Sequence, residues 1–216
     1  MIGGLWAWSR SRGGSTSSGG AAFEFPSFLT GRKLTNAPAG ADGYVRTSPA
    51  DLSRQAGLEI TAYTLARFVA SEWGSGTARE RAVIAVSIVN RSRKTGTSIL
   101  TLATRVCHRG SGCEVTGLYG MQGMPAGGGN RYASTRVDPT DRDAYVASMV
   151  LANAWPDITG GADQFFNPSV QRAMHLQRGD PTPEEILASW TSSGNREAFV
   201  PPGIDPDKLI VIRDRA

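Results

Sequence analysis

The chain has 216 residues, of which 40% are apolar and 19% are charged; this composition is typical of a globular protein with one hydrophobic core. The formal net charge is +4 and the sequence pI is about 9.4, which favours anionic partners. The sequence lacks the dense Lys/Arg run of a nucleic-acid-binding protein, and it has no apolar run long enough to span a membrane. It also lacks HExxH, Walker A and paired CxxC motifs, so we expect no cofactor.

Residues 1–47 are rich in Gly and Ser and show neither helical nor strand periodicity. We predict an irregular arm, which is either an unstructured tail or a docking segment. In the second case its aromatic residues are the anchors: Trp6, Trp8, Phe23, Phe25 and Phe28. The apolar run from Met1 to Trp8 is too short for a secretory signal, so we expect delivery by another agent, such as a virion or an injection apparatus.

The folded domain is predicted to occupy residues 48–216, because Ser48 followed by Pro49 is typical of a helix start. A second helical pattern covers Glu59 to Trp73. At about 100° per residue, Glu72 projects into an apolar arc. That arc contains Leu58, Thr61, Leu65, Phe68 and Val69. Burial there would favour the protonated carboxyl group, as a general acid near neutral pH requires; the alternative is a last-turn residue that bends out to water.

The next segment, Thr77 to Glu80, has the form of a capping box. It predicts a helix that runs to about Lys94, is apolar on all sides and ends before Gly96. The two helices would form a hairpin with Glu72 at its bend, where a sugar chain could reach it.

A short stretch contains two thiols and one imidazole, from Cys107, His108 and Cys113. A zinc site would require four ligands, and the other histidine, His175, is far along the chain. We therefore expect either a disulfide or two free thiols, and no metal site.

Three further elements complete the predicted domain. Asp138 to Asp141 predicts a helix through about Ala154, Thr182 and Pro183 begin a shorter helix that ends near Trp190, and Leu209 to Ile212 is a closing strand. The fold class is mainly helical α+β, with a lysozyme-like catalytic domain and a small β element.

Four segments resemble, in the same order, the SleB-type cell-wall hydrolases. The first, LARFVASEWGSGTARERAVIAVSIVNRSR, is similar to the family's opening pattern of a helix ending in a small residue plus Glu, then an apolar helix ending in Asn-Arg. The later blocks are GLYGMQGM (Gly117 to Met124), RYASTRVDPT (Arg131 to Thr140) and DITGGADQFFNP (Asp157 to Pro168). The resemblance covers roughly residues 56–168.

This resemblance implies cleavage of peptidoglycan between N-acetylmuramic acid and N-acetylglucosamine, in the manner of a lytic transglycosylase, with Glu72 as catalytic acid and base. The family commonly has a second Glu four positions later, where this chain has Gly76. A single carboxylate then protonates the leaving oxygen and deprotonates the attacking hydroxyl. Attack by the sugar's own 6-hydroxyl gives a 1,6-anhydro product, and attack by water gives hydrolysis. The other carboxylates near the motif blocks are either second catalytic groups or loop and cap residues: Glu114, Asp157 and Asp163.

A substrate groove requires flat faces for sugar rings and polar groups for N-acetyl carbonyls. The candidate binding residues are Tyr119, Gln122, Tyr132, Phe166 and Asn167. For each aromatic residue the alternative is packing in the core.

The leading hypothesis is therefore a bacteriolytic, virion- or particle-borne lysin that acts on the cell wall in the periplasm, with phage-tail or injection-machine partners bound through the arm. The alternative is a non-catalytic structural or adaptor protein of such a complex that retains a lysozyme-like fold. A bacterial spore or wall-remodelling enzyme would share the chemistry and differ in delivery.

Overall fold

The computed structural model describes residues 23–36, 47–73, 75–104 and 138–215. The predictions for Trp6, Trp8, Cys107, His108 and Cys113 fall outside these ranges. Within them, no helix combines the length and the apolar character needed to cross a membrane.

Helices dominate the described ranges, and three short strands form one small sheet. The helices are α1 (Pro49–Ala56), α2 (Ile60–Trp73), α3 (Ala78–Thr95), α4 (Ile99–Thr104), α5 (Asp141–Leu151), α6 (Pro168–Arg178) and α7 (Pro183–Thr191). The strands are β1 (Gln164–Phe166), β2 (Arg196–Phe199) and β3 (Ile210–Asp214). Strand β3 lies in the middle and pairs antiparallel with both neighbours. The predicted mainly helical α+β class is confirmed.

The helix boundaries follow local capping signals. Thr77 and Glu80 form the predicted capping box, in which the Thr77 side chain accepts from the Glu80 amide and the Glu80 side chain accepts from the Thr77 amide. Ser48 caps α1 and Thr182 caps α7. Gly96 ends α3 with φ = 63°, a left-handed conformation that glycine adopts without steric cost.

Helices α2 and α3 form the centre of the core. Helix α2 contacts α1, α3, α4 and α5, and every residue from Ala62 to Ala70 is buried. The expected single apolar arc is therefore wrong for the middle of this helix, because neighbouring helices cover it on all sides. Helix α3 is likewise buried from Glu80 to Val89, as predicted.

Residues 23–36 pack against the helices, which differs from both predicted forms of the arm, the unstructured tail and the docking segment. Phe23 is buried with its ring centroid 5.1 Å from that of Trp155. The backbone of Leu34 donates to the carbonyl of Pro139 over 2.9 Å. The carboxylate of Asp141 accepts from the backbone amides of Thr30 and Gly31. The start of α5 therefore holds this segment in place.

A buried polar cluster joins the same segment to α2. Thr35 Oγ1 donates to Asp138 Oδ1 over 2.7 Å and lies 3.0 Å from the hydroxyl of Tyr63. Arg67, whose side chain is 0% exposed, contacts both Tyr63 and Asp138. Burial raises the pKa of the Tyr63 phenol despite the nearby Arg67 charge. Because a lone buried charge is costly, these groups have to be brought together for the core to close.

Candidate active site at the corner between α2 and α3

Glu72 is the next-to-last residue of α2 and lies where this helix leaves the core. The preceding turns are buried, whereas Glu72 is half-buried. Its Oε1 atom is shielded from solvent. The carboxylate therefore lies at the boundary between core and solvent, and it does not extend freely into water as the alternative prediction required. We use "the α2–α3 corner" for Glu72, Trp73, Gly76, Thr77 and Glu80.

A second carboxylate in this corner has a structural task. Glu80 Oε2 accepts hydrogen bonds from the Thr77 amide over 2.8 Å and from the Trp73 indole Nε1–H over 3.2 Å. The ammonium group of Lys208 lies 3.8 Å from Glu80 Oε1. One carboxylate thus ties together the end of α2, the start of α3 and the turn before β3.

These contacts also set the ionisation of Glu80. Burial raises its pKa, but the donors on Thr77 and Trp73 and the charge of Lys208 outweigh burial and hold the pKa below its usual value. Glu80 is therefore an ionised acceptor at neutral pH. It is not suited to the role of a proton donor.

Gly76 is required by the position of the Trp73 indole. A Cβ atom on residue 76 would lie 1.9 Å from Trp73 Cδ1 and 3.0 Å from Glu80 Oε2. The carbonyl of Gly76 accepts from Arg81 Nε over 2.9 Å, which fixes the backbone beneath the ring. A glutamate at position 76 is thus incompatible with the indole where it lies.

Two other predicted site residues, Phe166 and Asn167, are linked to the corner through the turn before β3. Phe166 pairs with Ile210, two residues after Lys208. Just beyond Asn167, the amide of Ser169 donates to the carbonyl of Asp207 over 3.0 Å. The β1–α6 junction and the α2–α3 corner therefore both contact one turn, residues 205–208.

The local contacts of these two residues are structural. The Phe166 ring meets the Trp190 ring edge to face, with centroids 5.7 Å apart. Asn167 Oδ1 accepts from the amide of Val170 over 3.0 Å and so caps α6. Both side chains are half-buried, which leaves part of each surface to a ligand. Tyr119, Gln122, Tyr132 and Glu114 lie outside the described residues.

The Asn-Arg pair at the end of α3 contacts the fourth motif block. Asn90 Nδ2 donates to Asp157 Oδ2 and to the carbonyl of Ala162, over 3.1 Å in each case. Burial raises the pKa of Asp157, but donors from Thr159, Asn90 and the Gly161 amide outweigh it, so the net pKa is lowered. Asp157 is thus a loop-organising residue, as its alternative prediction stated.

Asp163 belongs to a buried ion cluster. Its side chain is 1% exposed, and its carboxylate pairs with Arg196, with Arg91 at 3.2 Å and with Lys94 at 3.7 Å. Asp214 pairs with Lys94 at 2.7 Å and extends the cluster to β3. Asp163 therefore joins α3 to the sheet.

Distance along α3 separates these two carboxylates from Glu72. Asn90 follows Glu80 by ten residues, which is about 15 Å at 1.5 Å per residue. The paired carboxyl groups of glycosidases are only about 5–9.5 Å apart. Asp157 and Asp163, bound to Asn90 and Arg91, are therefore held about ten residues along α3 from the corner.

A small cleft adjoins the part of α3 that contains Asn90. It has a volume of about 50 Å³, which is room for a few water molecules. Its lining residues are Val86, Val89, Asn90, Arg93, Val150, Asn153, Trp155 and Asp157. Glu72 does not line it.

The sequence prediction did not include Trp73, Glu80 or Lys208 among the site residues. The signal for Glu80 was present in the capping box, but the Lys208 contact joins distant parts of the chain. Among the described residues no group of three or more His, Cys, Asp or Glu side chains is arranged to hold a metal ion.

Comparison with protein-family models, with curated proteins and with solved structures gives no significant match to this chain. The functional interpretation therefore depends on the residues and their geometry.

Proposed function

We propose that this protein cleaves the glycan strands of peptidoglycan, at the bond between N-acetylmuramic acid and N-acetylglucosamine, with Glu72 as the acid and base. The observation that supports it most directly is the position of Glu72. A half-buried carboxylate with one shielded oxygen, at the end of a helix that is buried from Ala62 to Ala70, combines a rigid support with access for a polymer. The resemblance of the four sequence blocks supplies the substrate class.

The mechanism uses one titrating carboxylate. Glu72, protonated, donates its proton to the leaving glycosidic oxygen as the bond to the sugar carbon breaks. The resulting carboxylate then accepts a proton from the attacking hydroxyl. If the muramic acid's 6-hydroxyl attacks, the product is a 1,6-anhydro sugar; if water attacks, the product is a reducing sugar.

The roles of the other carboxylates agree with this mechanism. Glu80 is held ionised by three partners, and Asp157 and Asp163 are committed to contacts at the far end of α3. Glu72 therefore needs no second proton-transferring group from the described residues.

Phe166 and Asn167 extend the proposed site across residues 205–208. Their partial exposure suits an apolar sugar face and an N-acetyl group, respectively. Tyr119, Gln122 and Tyr132 remain candidate binding residues on the strength of the family-like blocks.

The test is digestion of purified peptidoglycan followed by mass analysis of the released muropeptides. We expect fragments cut between the two sugars, and a mass lower by one water identifies the 1,6-anhydro product. The Glu72→Gln protein should release no fragments. Its matched control is Glu184→Gln, which makes the same change at an exposed position of α7. Binding to peptidoglycan without any fragments would favour the non-catalytic adaptor and contradict the enzymatic proposal.

A further inference from the structure

Trp73 follows Glu72 directly, and its indole is held in one orientation. The Nε1–H donates to Glu80 over 3.2 Å, and the Cδ1 edge lies against Gly76, where even a methyl group would clash. Glu80 is in turn anchored by the Thr77 amide and by Lys208. The ring is thus fixed at its polar atom and at its pyrrole edge.

The ring is also partly exposed. Trp73 is half-buried and packs against the core, so part of its surface faces solvent, one residue after Glu72 in α2. A smaller apolar residue could fill this place in the core without a glycine at position 76. Here the hydrogen bond to Glu80 and the close contact at Gly76 both fix the orientation of the indole.

We propose that Trp73 is the platform on which a sugar ring of the glycan strand stacks, in the subsite next to the bond that Glu72 cleaves. This inference rests on the proposed function. The C–H face of a pyranose ring is apolar and flat, and a rigid aromatic ring provides matching area without loss of side-chain entropy on binding. The Glu80 carboxylate occupies the indole N–H, so the π-face and not the polar atom is offered to the sugar.

The binding test uses a soluble N-acetylglucosamine oligomer and the Glu72→Gln protein, which does not consume it. Calorimetric titration should show that adding Trp73→Ala weakens affinity on the order of tenfold or more. Adding Gly76→Ala should also weaken it, because the new methyl displaces the indole without removing it. The Trp73→Phe change keeps a ring but loses the hydrogen bond to Glu80. The affinity of that protein should lie between those of the Glu72→Gln background and the Trp73→Ala protein.

Trp155→Phe in the same background is the matched control. Trp155 is buried against Phe23 and Tyr145, so this change alters packing, and we expect unchanged affinity. With Glu72 restored, Trp73→Phe should raise KM more than it lowers kcat. A merely structural role would instead lower the melting temperature with unchanged affinity and KM.

The outcomes separate the two proposals. Unchanged affinity in the Trp73→Ala and Gly76→Ala proteins, or no oligomer binding by the Glu72→Gln background, overturns the platform. Wall cleavage by Glu72→Gln overturns the proposed function, whatever Trp73 does.

Discussion

The side-chain amide of Asn90 donates to Asp157 Oδ2 over 3.1 Å, and this hydrogen bond joins the end of α3 to the loop before β1. The two residues belong to two different motif blocks. Their contact joins the two blocks in space, and it gives Asn90 and Asp157 a structural role.

Asn90→Ala should therefore reduce stability and spare catalysis. We expect the free energy of unfolding to fall by about 1–2 kcal/mol, because the ionised Asp157 and the Ala162 carbonyl lose a donor. Urea unfolding measures the loss, and the cleavage rate per folded molecule should stay unchanged. A large loss of rate at unchanged stability would place Asn90 in the active site.

Glu72→Gln should abolish turnover and leave the fold intact. The amide has nearly the same size but cannot transfer a proton, so we expect a loss on the order of a hundredfold or more in wall-clearing rate. Turbidity clearing and thermal melting are measured in parallel with Glu184→Gln. Near-normal clearing would remove Glu72 from the mechanism.

Acid should weaken the fold through Glu80 and Asp157. Burial raises the pKa of each carboxyl group, but hydrogen bonds to the ionised form lower it by more. The net pKa of Glu80 and of Asp157 is therefore below the reference values of 4.5 and 3.8, respectively. The stability that each contributes is complete above the unfolded value and is lost as pH falls through the lower folded pKa. We expect urea midpoints to drop below about pH 5, and Glu80→Gln to make this drop shallower. An identical slope in wild type and Glu80→Gln would show that the contacts of Glu80 are not stabilising.

Phe23→Ala tests the packing of residues 23–36. Phe23 is 9% exposed, packs against Trp155 and lies under the guanidinium of Arg79 at 4.7 Å. We expect a loss of about 3 kcal/mol in the free energy of unfolding. The control is Phe28→Ala, because Phe28 is 66% exposed and should change stability by less than about 0.5 kcal/mol. Equal, small effects of the two changes would restore a purely docking role for this segment.

Short-range signals allowed the boundaries of several helices to be predicted. Each capping box pairs residues three positions apart, as in Thr77 with Glu80 and Thr182 with Glu185. Such contacts form within one helical turn, so the sequence alone defines them. The same holds for Gly96, whose left-handed conformation ends α3. Helix α6 was not predicted, although Asn167 and Pro168 form the same kind of start signal as Ser48 and Pro49.

The candidate site depends both on local sequence signals and on tertiary packing. The sequence determined that Glu72 ends one helix just before another begins. Only the tertiary structure decided that its carboxylate is half-buried, since that depends on the helices around α2. The Trp73 to Glu80 hydrogen bond crosses the bend, and Lys208 reaches Glu80 from the far end of the chain.

The buried charges show most clearly what the sequence alone does not determine. Arg67 lies in the middle of an apolar helix, and its partner Asp138 is 71 positions away. Local patterns determine which segments are helical, because their energies come from neighbours along the chain. Which buried charges meet, and whether residues 23–36 join the core, depends on long-range packing, since no single segment can bury or neutralise these groups by itself.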